Sequence, residues 1–220
     1  MKKVLKCTDF ILLRLIPTIF LLFLLYSDVR DSLQAFNKIE NYSFRLFLES
    51  FCIIMCFVFV GLASVLRAFE KTEIFSQICR YGACIVALIY VVLNIAQKIQ
   101  TLRLLQSLEY TPSFSNNYSL FTLQKTMYII AFLTAIINCI LKDKFIKTKW
   151  ILTVLCALSI FVAIFCSPLY TLINFKDTIS FRFLFNSFLI SYCYFAVIIT
   201  GLSPVKTEQK TAVVITNEDN

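Results

Sequence analysis

Apolar residues along the chain come in six blocks, roughly 10–26, 44–66, 82–97, 122–141, 150–173 and 181–202. Inside a block they occupy every helical position, whereas an amphipathic helix of a soluble protein leaves one face polar. Each block is close to the ~20 residues that a helix needs to cross a bilayer core. The third is shortest, but "NIAQKIQTLRLLQSL" carries the helical pattern past Ala96, so a longer, tilted helix is expected there. Ten-residue stretches of strict alternation, the mark of a membrane barrel, are absent. The pattern therefore predicts an all-α, polytopic integral membrane protein with six transmembrane helices over residues 1–202. Its first block is expected to be a retained helix, since Arg14 and Pro17 interrupt the apolar run and no A-x-A-like site precedes Asp28.

The polar segments between blocks divide the spans into three hairpins joined by two basic linkers. Counting Lys and Arg in the connections fixes an expected orientation, because cytoplasmic loops carry the excess. With the N-terminus inside, Lys2, Lys3, Lys6, Arg67, Lys71, Arg80, Lys142, Lys144, Lys147, Lys149, Lys206 and Lys210 face in, and Arg30, Lys38, Lys98, Arg103 and Lys176 face out. Twelve against five places both termini in the cytoplasm, and the expected location is the plasma or cell membrane. The linker "LRAFEKTEIFSQICRYG" reads as an interfacial helix, and "KDKFIKTKW" as a basic turn with Trp150 as head-group anchor. Residues 203–220 have no pattern to bury and read as a disordered cytoplasmic tail.

One phrase recurs. "NYSFRLFLESF" from Asn41 and "ISFRFLFNSF" from Ile179 share Ser-Phe-Arg and a later Ser-Phe, with a weaker echo in "NYSLFTLQKT" from Asn117. Each ends an outer loop and starts a returning helix, as an internal repeat of hairpins would. The competing explanation is chance, since 23 of the 220 residues are Phe. Asn41 and Asn117 also match the N-x-[ST] pattern and are glycosylation acceptors if the chain is eukaryotic.

Composition narrows the chemistry. Hydrophobic residues make up 59% of the chain and its mean hydropathy is +0.80, more than a soluble core of this size uses. The net charge of +8 is read as a topology signal and an attraction to lipid head groups rather than as a nucleic-acid footprint. No histidine is present, which removes His-based triads, haem ligation and His-rich metal sites. Nine cysteines all fall in spans or on the inner side, so a disulfide framework is not expected, and Cys52 and Cys56 read as packing residues. Cys79, near the inner interface, is a candidate for palmitate. Three glycines cannot supply a phosphate cradle or close G-x-x-x-G helix contacts, so association through larger side chains and polar contacts is expected. Prolines 17 and 168 are expected to kink their helices, and Asn138 to bond between helices. No catalytic residue, metal site or cofactor is expected, and an enzyme is the third and least favoured class.

Polar residues inside spans are costly, and here they gather near the outer ends. The second block carries Arg45 and Glu49 at i and i+4, and the sixth carries Arg182 and Asn186 at matching places. The third leaves through Asn94, Gln97 and Lys98, and the fourth enters through Gln124 and Lys125. Four helices thus present polar groups at similar depth, as a net-positive vestibule for an anionic small molecule or lipid head group, with Glu49 balancing or gating the cations. The competing reading is that the long side chains snorkel to the interface. The expected function is binding or transport of a small solute or lipid. The alternative is a non-catalytic accessory or scaffold subunit with a protein partner or as a homo-oligomer.

Overall fold

The structure is a computed structural model that describes residues 8–38, 44–69, 73–107, 116–141, 145–174 and 181–204. The described residues form six long helices. The first, α1, opens with a π-helical turn over Ile11–Leu15 and continues as Ile16–Lys38. The others are α2 (Phe44–Leu66), α3 (Glu73–Ser107), α4 (Asn116–Ile140), α5 (Ile146–Asn174) and α6 (Phe181–Leu202). Each contains a stretch long and apolar enough to cross a bilayer, so the architecture is that of a helical multi-pass membrane protein. Large apolar side chains such as Phe23, Ile85, Val92, Ile151, Phe188 and Phe195 point away from the bundle, which lipid tolerates and water would not.

Helix limits follow the six blocks at α2 and α6 and exceed them elsewhere. The first helix continues beyond Tyr26 to Lys38 through "YSDVRDSLQAFNK", which holds no Gly or Pro to stop it. Its polar residues find local partners: Ser27 reaches Asp31, Arg30 pairs with Asp31, and Ser50 of α2 donates to Asp28 at 2.9 Å. The stretch from Glu73 to Tyr81, expected as a separate interfacial helix, is instead the start of α3, continuous with its span. Phe75 and Ile78 are exposed on it. The segments 39–43 and 205–220, which hold Asn41 and the expected tail, lie outside the described residues.

Pro17 does not break α1. Its missing N–H and its ring conflict with a normal i to i−4 bond to the carbonyl of Leu13. The chain widens by one residue just before it, and the N–H of Ile16 bonds to the carbonyl of Ile11. Thr18 then donates its hydroxyl to the carbonyl of Arg14 at 2.6 Å. Pro168 lies buried within α5, whose helical run continues through it.

The helix α2 is central: it packs on α1, α3 and α6, and is the most buried of the spans. Contact is most extensive between α4 and α5 and between α2 and α3, pairs joined by the basic linkers. Packing therefore does not single out the three hairpins drawn around the other loops. Two of the three glycines sit at close helix contacts outside any G-x-x-x-G pair, so association does not run through larger side chains and polar contacts alone. A Cβ on Gly201 would lie 2.6 Å from the carbonyl oxygen of Val60, and one on Gly61 would lie 2.7 Å from Oγ1 of Thr18. Here α2 approaches α6 backbone-close and Gly61 makes room for the Thr18 side chain of α1, with buried Ala63, Ser64 and Ala196 nearby in sequence.

The middle of the bundle is aromatic. Phe57 of α2 meets Tyr194 of α6 edge-on at 4.9 Å and stacks with Phe132 of α4 at 5.8 Å, and Phe132 meets Tyr90 of α3 at 4.7 Å. Four helices thus share one set of rings. Cys52, Cys56, Cys84, Cys156 and Cys193 are buried among the core side chains, and Cys56 donates to the carbonyl of Ala83 at 3.5 Å. Between α4 and α5, Asn138 donates to the carbonyl of Lys149 and to Oγ1 of Thr153, both at 2.9 Å.

Candidate functional site: a buried carboxylate between two cations

Near the start of α2 the helical repeat brings Arg45 and Glu49 one turn apart on one face. Their side chains pair, Nε of Arg45 to Oε1 of Glu49 at 3.1 Å. The second oxygen of Glu49 is taken by α4: Nζ of Lys125 lies 3.0 Å from Oε2. The same Nζ donates to Oε1 of Gln97 on α3 at 3.1 Å and sits 4.9 Å from the ring centre of Phe121. Arg45 completes the set through Nη2, which donates to the carbonyl of Leu93 on α3 at 3.2 Å. Three helices are tied by one carboxylate and two cations.

Burial shows which way these groups point. The side chain of Glu49 is 9% exposed, that of Lys125 17% and that of Arg45 35%. Glu49 and Lys125 also lie within the stretches that can span a bilayer, Phe47–Leu66 and Leu120–Ile140. Lys125 could reach toward the interface, yet it turns inward to the carboxylate. With two positive charges to one negative, the set keeps one net positive charge. Arg45, the most exposed member, is its opening to the surface.

The remaining expected residues divide. Asn94 is buried one turn from Gln97 and donates to the carbonyl of Tyr90 at 3.0 Å. Gln124 is half-buried, whereas Lys98 is exposed on α3. Asn186, which matches Glu49 in the repeated phrase, is exposed on α6, so these two matching residues meet different surroundings. The side chains of Arg182 and Asn117 lie outside the described ones. The cluster as observed is built by α2, α3 and α4.

A second polar set, not anticipated from the sequence, lies at the opposite ends of α2 and α6. Nη1 of Arg14 donates to the carbonyl of Ser64 at 2.7 Å, Nη1 of Arg67 to that of Ser203 at 2.6 Å, and Nη2 of Arg80 to that of Gly201 at 2.7 Å. The last carbonyls of a helix have no partner within it, and cations there also meet the negative end of the helix dipole. Ser64 donates on to Thr200 at 2.7 Å, and Ser76 to the carbonyl of Ala63 at 2.9 Å. Three arginines near helix ends were the available signal; which carbonyl each one reaches depends on how the helices pack.

No protein-family model, curated protein or solved structure matches the chain, so the functional reading rests on these residues and their geometry.

Proposed function

We propose that the protein binds, and carries across or within the membrane, a small anion or an anionic lipid head group through the cluster of Arg45, Glu49 and Lys125. The observation that supports this most is the ion-paired state of Glu49, whose two oxygens occupy both cations. In that state the carboxylate is an internal stand-in for the ligand. An incoming phosphate or carboxylate offers the same pattern of acceptors to the fork of Arg45 and the ammonium of Lys125. It enters past Arg45 and displaces Glu49, and Gln97 holds Lys125 in place while the partners change. Glu49 thereby keeps the cations paired when no ligand is present, which avoids leaving buried charge uncompensated. The proposed orientation puts this end of the bundle outside and both termini in the cytoplasm of a cell or plasma membrane, on the Lys and Arg asymmetry.

Purified protein in a neutral detergent, titrated with inorganic phosphate and followed by thermal unfolding, tests the reading. The wild type is expected to gain stability with phosphate at constant ionic strength, and Lys125→Gln to lose most of that gain. Equal responses in the two proteins, together with copurification of one stoichiometric partner, would instead favour an accessory subunit.

A further inference from the structure

At the end of the bundle opposite Glu49, Asp9, Phe10, Leu13, Arg14, Ala68 and Thr200 line a cavity of about 380 Å³. The volume is in the range of small-ligand sites and suits a head group rather than a single ion. Two of these residues, Leu13 and Arg14, belong to the π-helical turn of α1, a feature that recurs at functional sites. One of the five donors of Arg14 is spent on the carbonyl of Ser64, and among the described residues no carboxylate pairs with it. Asp9 is exposed and likewise forms no ion pair among the described residues. A cation and an anion thus share one cavity without pairing with each other. Phe10 and Leu13 supply apolar wall beside them, and Phe10 is braced edge-on by Phe69 at 5.8 Å.

We infer that this cavity holds a zwitterionic phospholipid head group, with its phosphate on Arg14 and its ammonium on Asp9. A purely anionic head group would satisfy Arg14 and meet repulsion from Asp9, and a purely cationic one would do the reverse. Phe10 and Leu13 then adjoin the glycerol and the first acyl carbons, at the depth where a span meets the interface. Thr200 already donates to the carbonyl of Ala196 and accepts from Ser64, so it positions the wall and adds at most one further acceptor.

Native mass spectrometry of the full chain from a neutral detergent tests this, with phosphatidylethanolamine, phosphatidylglycerol and soluble phosphoethanolamine as probes. In the Lys125→Gln background, where the other site no longer takes an anionic head group, the chain is expected to retain phosphatidylethanolamine at least tenfold better than phosphatidylglycerol, and the variants below are made in that background. Asp9→Asn should bring the two lipids within about threefold of each other, and Arg14→Gln should lose both. Arg14 also holds Ser64, so a third variant guards against misfolding: Ala68→Phe fills the cavity without touching a charge, and should reduce retention while the melting temperature holds. Thr148→Ala, exposed on α5, should leave retention unchanged. Retention that is indifferent to Asp9→Asn and Ala68→Phe would overturn the inference, as would displacement of the lipid by equimolar soluble phosphoethanolamine, which would identify a soluble zwitterion instead.

Discussion

A carboxylate inside a membrane helix persists only where cations reach it, and Glu49 has two. Half of that arrangement was legible in the chain: Arg45 and Glu49 stand four apart, and that spacing alone puts them on one face. The other half was not. Lys125 was expected at similar depth, but whether it faces Glu49 or lipid depends on the rotation of α4 about its axis, which a nearly uniform apolar block leaves undefined. Asn186 shows the same limit, since the letters around it match those around Glu49 and yet it faces outward. Glu49→Ala is expected to destabilise by roughly 3 kcal/mol, the lower end for a broken buried pair, because Arg45 stays partly in contact with solvent. Adding Lys125→Met should restore part of the loss. Thermal unfolding of the two single variants and the double variant in one detergent measures the coupling, and strictly additive effects would argue that the pair is solvent-screened.

Among the elements, the helices were readable in number and approximate place because six apolar blocks of bilayer length have few other solutions. Their ends were less so. Beyond Tyr26 and before Tyr81 the sequence turns polar while remaining helical, and hydropathy marks where the apolar stretch stops rather than where the helix does. The π turn before Pro17 was read as a kink, since proline announces a lost bond but not how the chain absorbs it. Asn138 was expected to bond between helices, and it reaches from α4 to the carbonyl of Lys149 and to Thr153 on α5. Asn138→Ala should cost about 1 kcal/mol, as single interhelical hydrogen bonds in membranes do. Exposed Thr148, next to Lys149 on α5, is the control, and Thr148→Ala should leave unfolding in detergent unchanged.

For the whole molecule, assembly depends on close approaches that composition concealed. Three glycines in 220 residues seemed too few to matter, but two lie where α2 meets α1 and α6. Gly201→Ala drives a methyl into the carbonyl of Val60, and overpacking of this kind costs about 1–3 kcal/mol. Gly82→Ala makes only ordinary contacts with Phe59 and should be neutral or slightly stabilising, because alanine favours a helix by up to about 1 kcal/mol. If both variants melt alike, the α2–α6 contact is looser than described. Orientation is checked separately by labelling single cysteines at positions 115 and 148 in a chain with its native thiols replaced: Ser115→Cys should react from outside and Thr148→Cys from inside. The central claim is that Glu49 occupies a ligand's place, and the most direct measurement is the phosphate-dependent shift in unfolding of Glu49→Gln beside wild type. Removing the internal competitor should lower the stability of the unliganded variant and make it bind phosphate more tightly. At a hundred times the dissociation constant the gain is about 2.7 kcal/mol, and Glu49→Gln should reach it at a lower phosphate concentration than the wild type. A variant that loses stability and shows a weaker phosphate response than the wild type, or none, would contradict the account and leave the cluster a structural tie between three helices.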